Sequence, residues 1–308
     1  MAWHANSLNL PLHRKCMILS GRNILFRLIL TDKLLISILR VGAMLAALVV
    51  LLILIFLIYE SWPALSSLSI TRFINDVSWH PLENTYNLMP MLSGTVLTSS
   101  GALLLAIPLS LASALFIVFY APLHLATAYK RLIELLSGIP SVVFGFWGLT
   151  TLVPLINQWN PPGASLLAGI LVLTMMILPT VTLTAYTALA AVPDELLRNA
   201  AALGLSRWGV INGVALPAAK TGVAAGIILA AARALGETMA VLMVAGNVVQ
   251  YPETFFDPVR TLAANIALET AYAMGDHRAV LFVSGLLLML LIMVLSGLVE
   301  LLEQQRHA

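Results

Sequence analysis

Apolar residues along this chain come in long unbroken runs and do not alternate with polar ones. Six runs, near 41–60, 93–120, 132–156, 166–191, 221–246 and 279–302, are rich in Leu, Ala, Val and Ile. Each is long enough to cross ~30 Å of hydrocarbon as a helix, which takes about 20 residues. None alternates at period two, so helices are expected and barrel strands are not. Pro108, Pro140 and Pro179 fall inside runs, which bundled helices tolerate when neighbours satisfy the freed carbonyls. The pattern predicts an all-α polytopic membrane protein with six transmembrane helices. It divides into an N-terminal segment 1–40, a first anchor helix 41–60, and a five-helix core 93–302 with a long connection at 192–220. The stretch 24–39, ILFRLILTDKLLISIL, mixes apolar and charged residues. It reads equally as an interfacial helix or as an unstructured lead into an early start of the first span.

Composition agrees: 10% of residues are charged, 60% are hydrophobic and the mean hydropathy is +0.96, whereas soluble domains are about 25% charged. The single cysteine, Cys16, excludes an internal disulfide, and the six histidines never fall at metal-ligand spacing. No small-residue cleavage site follows the first run, which is therefore expected to stay as an anchor. Twelve basic residues fall in one set of connections and ends: Arg14, Lys15, Arg22, Arg27, Lys33, Arg40, Lys130, Arg131, Arg198, Arg207, Lys220 and Arg306. The opposite set holds three, Arg72, Arg260 and Arg278. By the positive-inside rule both termini are expected in the cytoplasm. The net charge of +2 follows from this topology and says nothing about nucleic acid. Lys220-Thr221 is preceded by Ala219, so no phosphate-cradling P-loop is present. HExxH, paired CxxC and GxSxG are also absent, and any ATP chemistry is expected on another chain.

Arg233 belongs to neither set. It opens RALGETMAVLMVAGN (233–247), after a stretch uncharged since Lys220, and Glu237 follows four residues later. On a continuous helix the two side chains share a face. Twelve residues in from Thr221, at 1.5 Å per residue, Arg233 would sit about 18 Å deep. Charge at that depth is costly and is ordinarily functional; the bland reading is a pair that only locks the bundle. Gly222 with Gly226, Ala230 with Ala234, and Gly236 with Ala240 form small-xxx-small faces, which allow close packing and would leave room beside Arg233. In ELLSGIPSVVFGFWGL (134–149), Pro140 is expected to interrupt the helix. Ser141 and freed carbonyls are then candidates to line a pathway. Phe144, Phe146 and Trp147 are expected to pack against neighbours, and Glu134 to pair with Lys130 or Arg131. The connection 192–222 reads as a small-residue helix broken at Gly204. It is either an amphipathic helix resting on headgroups or a compact surface for a cytoplasmic partner.

That connection, VPDELLRNAAALGLSRWGVINGVALPAAKTG, resembles the cytoplasmic signature of binding-protein-dependent ABC importer permeases. The signature reads Glu-Ala-Ala, three residues, Gly, nine residues, Ile, one residue, Leu-Pro. Gly204, Val214, Leu216 and Pro217 are in register with it. The stretches 134–149 and 233–247 are similar to PstC-type permease subunits of phosphate-specific ABC importers, and the likeness runs from about residue 41 to the C-terminus. One position departs. Arg198 stands where the signature has its acid, with Asn199 and Ala200 at the two Ala positions. Glu195, one turn earlier, is the candidate to stand in for it.

The resemblance implies a type I (MetI-like) importer permease fold. It also implies pairing with a second permease subunit (PstA type), two copies of an ATPase subunit (PstB type) and a periplasmic phosphate-binding protein (PstS type). ATP and Mg would belong to the ATPase, with no cofactor and no catalytic residue on this chain. Glu195, Arg198, Ala200, Gly204, Leu216 and Pro217 would form the ATPase coupling loop. Arg233, Glu237 and Ser141 would line the phosphate pathway of an alternating-access pore in the inner membrane. Arg233 would offer its guanidinium fork to phosphate oxygens. Glu237 would offset that charge and accept from a protonated phosphate hydroxyl, so that the ion is admitted and released. Two alternatives remain: a permease for sulfate, molybdate or tungstate, and a non-transporting scaffold or sensor that binds the ATPase.

Overall fold

The computed structural model describes residues 13–69 and 71–304, with side chains described from Leu35 to Gly297. The chain divides into two units, Met1–Phe56 and Leu57–Ala308. Helix α1 (His13–Ser67) begins in the first. From Leu35 to Phe56 it carries Leu, Val and Ile on every face, the pattern of a helix solvated by lipid or by other helices. The 24–39 stretch is helical in backbone. Its side chains up to position 34, those of Arg14, Lys15, Arg22, Arg27 and Lys33, and the whole of Arg306 lie outside the described residues.

The second unit is helical apart from one hairpin. After α2 (Arg72–Asn75), strands β1 (Trp79–His80) and β2 (Thr85–Tyr86) pair antiparallel, Trp79 opposite Tyr86. The helices that follow are α3 (Met89–Leu115), α4 (Leu123–Ser137), α5 (Ser141–Trp147), α6 (Val153–Asn157), α7 (Leu166–Ala190), α8 (Asp194–Ala202), α9 (Arg207–Val210), α10 (Leu216–Leu235), α11 (Met239–Val244), α12 (Leu262–Glu269) and α13 (Gly275–Gln304). Among the described residues five helical stretches are long and apolar enough to cross a membrane: Leu35–Ser67, Met89–Tyr120, Leu166–Ala190, Arg207–Leu235 and Gly275–Gly297. A sixth is the pair Leu123–Ser137 and Ser141–Asn157, bent by 93°. The sharp bend falls at Gly138-Ile139-Pro140, where Pro140 has no donor and its φ of −59° with ψ of 141° is extended. Pro108 and Pro179 lie inside unbroken helices.

Helices α3 and α7 run parallel at the centre. The Thr174 hydroxyl donates to the Ala102 carbonyl at 3.4 Å and the Ser110 hydroxyl to the Leu178 carbonyl at 3.0 Å. Such interhelical bonds replace the hydrophobic drive that lipid removes. Helix α10 runs antiparallel to α7: a side chain on Gly222 would meet Ala188, and one on Gly226 would meet Thr184. The small face 222, 226, 230, 234 is thus spent on close packing within this chain. The room expected beside Arg233 is not on that face.

Three apolar clusters follow the bundle. The central one joins α3, α7, α10 and α11 through Ala106, Val172, Ile177, Ala234 and Val241. At one end Trp79, Tyr86, Met91, Leu262 and Val280 close a cap over the starts of α3 and α13. At the other, Ala114, Leu189, Val192 and Ala219 seat the beginning of α8.

Candidate functional site

Arg233 lies in the last turn of α10, which ends at Leu235, so the continuous helix expected to carry Arg233 and Glu237 on one face is not formed. Gly236, Glu237 and Thr238 interrupt it before α11 starts. Arg233 is exposed, as are Ala225, Leu229 and Gly236 along the stripe of α10 that faces away from α7. Among the described residues no hydrogen bond or ion pair reaches the side chain of Arg233 or of Ser141. Glu237 is half-buried and its Oε1 accepts from the Ala240 amide at 3.0 Å. It therefore caps α11, satisfying one of the amides that a helix start leaves without a partner.

Sequence spacing also placed the start of the span too late. Arg207–Val210, a π turn at Ile211–Ala215 and α10 form one apolar helix from Arg207. Arg233 is 26 residues along it, roughly 39 Å from the helix start at 1.5 Å per residue. Leu216 and Pro217 sit inside this helix, Pro217 in the first turn after the π segment, where a widened turn absorbs a missing amide donor.

Ser141 opens α5 directly after the Pro140 break. Helices α5 and α11 pack parallel with almost no gap. A side chain on Gly145 would lie 2.8 Å from the Ala240 Cα, and one on Gly148 would lie 2.8 Å from Val244. Carried back one turn, this pairing sets Ser141 level with the 236–238 break. Two interrupted helices thus restart side by side, with Arg233 in the last turn before the second break. Phe144 is buried as expected, but Phe146 and Trp147 are exposed, so the packing assigned to them is not made within this chain. Glu134 pairs with Lys130 at 3.6 Å, one of the two partners expected.

At the opposite region, α8 ends in a Schellman motif: the Leu205 amide donates to the Ala200 carbonyl and the Gly204 amide to the Ala201 carbonyl. Gly204 has φ +81°, the left-handed conformation glycine adopts without cost, and nothing lies within 4 Å of a side chain placed there. Ser206 then caps α9, accepting from the Gly209 amide. Ala200 is buried against the bundle, while Leu196, Leu203, Leu205 and Trp208 are exposed. Arg198 pairs with Asp194 at 3.3 Å on the surface, and Glu195 is exposed.

Sequence reasoning missed a buried polar cluster in the cap. Glu269, 6% exposed, accepts from Trp79 Nε1 and from Arg260 Nη1 at 2.8 Å, and its Oε2 lies 2.8 Å from His277 Nε2. Arg260 also donates through Nε to the Asn247 carbonyl and through Nη1 to Asn265 Oδ1. Hairpin, α12 and the first turn of α13 are thereby joined at one carboxylate. The signal available was the sparse basic set. All three of its members are paired, Arg72 with Asp76, Arg260 with Glu269 and Arg278 with Glu60. Nearby, the Asp257 carboxyl is held below the usual range by the Thr254 amide, the Thr254 hydroxyl and the Glu253 amide. It fixes the turn whose carbonyls at Phe255 and Asp257 accept from the first amides of α7.

Solved structures define the class first. The protein of a bacterial ABC transporter involved in import of the acidic polysaccharide alginate superposes with TM-score 0.59 at 14% identity, over 85% of this chain and 95% of that one. A chain of the inward-facing MetNI methionine ABC transporter gives 0.55 at 17%, over 71% and 93%. The fold is that of an ABC importer permease. The family model for the binding-protein-dependent transport system inner membrane component matches residues 106–307, and the chain belongs to that family. Among its relatives, the probable ABC transporter permease protein YqgH of Bacillus subtilis is 40% identical over 202 residues, 64% of this chain and 65% of the relative. The phosphate transport system permease protein PstC of Pasteurella multocida is 34% identical over 266 residues, 80% of this chain and 83% of the relative. That of Mesorhizobium japonicum is 33% identical over 258 residues, 77% and 79%.

Proposed function

We propose that this chain is a permease subunit of an ATP-driven importer that moves inorganic phosphate across the inner membrane, with Arg233 as the residue the ion meets in transit. The observation that carries this reading is a bare guanidinium at a paired helix break, on the stripe of α10 that its own bundle leaves uncovered. The relatives named as phosphate permeases supply the anion. An alternating-access pore needs a site that binds in one arrangement and releases in the other, and an exposed, fork-shaped donor suits an oxyanion.

The partners follow from the same reading. A second permease subunit of PstA type covers the uncovered stripe of α10, and two ATPase subunits of PstB type carry ATP and Mg. One of these takes the exposed apolar face around Gly204, and Arg198, displayed beside it, meets that subunit with a charge opposite to the one the family signature presents. A PstS-type binding protein delivers phosphate at the cap. Both termini lie in the cytoplasm, supported by the basic asymmetry and by the neutralisation of every basic residue on the sparse side. This chain holds no cofactor and performs no hydrolysis itself.

Phosphate uptake in cells, normalised to membrane-inserted protein, tests the reading. Arg233→Leu combined with Glu237→Gln removes both charges while leaving an acceptor to cap α11. The combined variant is expected to insert, assemble and fail to import, and Arg233→Lys to be impaired, because an ammonium cannot reproduce the fork. Wild-type uptake by the combined variant would remove Arg233 from the pathway.

A further inference from the structure

Two membrane spans and a short helix enclose an apolar cavity that opens at a pair of opposite charges. The cavity, of about 330 Å³, lies between the end of α1, helix α12 and the first turns of α13. Residues three or four apart line it from one face of each helix: Ile266 and Thr270 on α12, Arg278, Phe282 and Gly285 on α13, with Leu57 of α1 opposite. The deep end is apolar. A Cβ placed on Gly285 would lie 3.6 Å from Leu57 and 3.8 Å from Ile266. The mouth is charged. Arg278 is in the first turn of the span Gly275–Gly297, and Glu60 lies one turn beyond Leu57, toward the end of the span Leu35–Ser67. Arg278 Nη2 and Glu60 Oε2 approach only to 3.4 Å, and among the described residues neither side chain makes a hydrogen bond. The guanidinium lies 5.6 Å from the centre of the Phe282 ring, on the cavity wall. Its side chain is 57% exposed and that of Glu60 26%. A five-donor fork and a carboxylate thus stand side by side at the end of two spans, with their hydrogen-bonding capacity unspent, above an apolar slot.

We propose that this cavity binds a phospholipid with a primary-ammonium headgroup, phosphatidylethanolamine in form. One acyl chain fills the slot, the phosphate accepts from Arg278 and the ammonium donates to Glu60. Basic pockets between spans hold anionic headgroups, but here the arginine is matched by a carboxylate. The complementary headgroup therefore carries both signs, phosphate and ammonium. A choline headgroup keeps the positive charge yet has no N–H to give to Glu60. A glycerol headgroup has no positive charge, and sets its phosphate beside a carboxylate with nothing to offset it. Seated there, the lipid fills the gap between α1 and the corner of α12 and α13, whatever ion the chain transports.

The test is native mass spectrometry of the purified protein with its co-purifying subunits, delipidated and then titrated with phosphatidylethanolamine, phosphatidylcholine or phosphatidylglycerol of identical acyl chains. Phosphatidylethanolamine is expected to bind about tenfold tighter than either of the others, the scale of one hydrogen bond to a charged group. Glu60→Gln is expected to bring it down to the level of phosphatidylcholine. Arg278→Gln is expected to weaken all three lipids about tenfold, through the phosphate they share. Both side chains stand at the rim, so these variants leave the apolar packing intact. Gly285→Leu fills the deep end and is expected to exclude all three lipids. Equal binding of the three to wild type, or a preference that survives both rim variants, would overturn the proposal. Phosphatidylglycerol preferred by wild type, and bound more tightly still by Glu60→Gln, would make this an anionic-lipid site and overturn the ammonium assignment. If wild type binds none of the lipids the proposal falls, and loss of a co-purifying permease subunit in Gly285→Leu would then name a partner helix as the occupant.

Discussion

Arg260 and Arg233 are both arginines that an apolar chain keeps, and the molecule treats them in opposite ways. Arg260 is tied through two of its nitrogens to a carbonyl, an amide and a buried carboxylate that also holds Trp79 and His277. Arg233 is exposed at the end of its helix and, among the described residues, its side chain has no hydrogen bond or ion pair. A charge that serves architecture is surrounded by partners from its own chain, because an unpaired buried ion is expensive. A charge left bare on the stripe of a helix that its bundle does not cover waits for something from outside. Lys130 follows the first pattern, paired with Glu134 and lying over the Tyr186 ring. The surface around Gly204 follows the second, with its apolar side chains uncovered.

The largest effect is expected where the ties are densest. Glu269→Ala strands Arg260, Trp79 and His277 at once, and losing one partner of a buried charged pair costs about 3–5 kcal/mol. Thermal unfolding of the detergent-solubilised chain should show it as a large drop in Tm and in recoverable protein. A variant as stable as wild type would mean the cap is not held together at this carboxylate. Arg233→Leu should show the reverse: stability within roughly 0.5 kcal/mol of wild type, as for surface changes, with uptake reduced roughly a hundredfold, the upper range for losing a hydrogen bond to a charged group. Loss of stability equal to that of Glu269→Ala would erase the contrast and make Arg233 architectural.

Much of the fold was legible because membrane solvation is unforgiving. Six apolar runs, the interruption at Pro140 and the small-residue face of α10 all follow from the need to satisfy backbone groups and pack without a hydrophobic drive. Arg233 stood out by charge alone. What stayed hidden depended on local breaks and on long-range pairing. Nothing in Leu235-Gly236-Glu237 distinguishes a continuous helix from one that stops and is capped anew, so the pair was read as stacked on one face. The helix continues back through Leu216-Pro217 to Arg207 because a π turn takes up the proline, and spacing does not announce a π turn. The Glu269 cluster draws on positions 79, 260, 269 and 277, which only tertiary contact brings together. The exposure of Phe146 and Trp147 was missed because aromatic content indicates burial without indicating by which chain.

Gly204 offers a smaller test from the bare side of the comparison. Its φ of +81° costs other L-residues about 1–2 kcal/mol, with Asn the mildest exception, but no atom within 4 Å obstructs a side chain. Gly204→Asn should keep the Schellman turn and leave ATPase association intact, while Gly204→Trp should remain inserted but lose co-purifying ATPase and stimulated hydrolysis. Equal association of both variants with the ATPase would show that this surface is bare for some other reason.

Glu237 carries the smallest expected effect and the finest distinction, since it belongs to both patterns. Its Oε1 caps α11 through the Ala240 amide, an architectural tie. Glu237 lies in the break that follows Arg233, four residues further along the chain. Glu237→Gln keeps an acceptor in the same place and removes only the charge, whereas Glu237→Leu removes both. Losing a helix cap costs about 0.5–2 kcal/mol, which should appear as faster hydrogen exchange of the amides at the start of α11 in the Leu variant alone. Uptake should then separate the two roles: slowed release in both variants if the charge matters, a defect in Leu only if the cap does. Identical exchange in the two variants would mean that the Ala240 bond does not hold the helix start, and the carboxylate would then be read with Arg233 as part of the pathway.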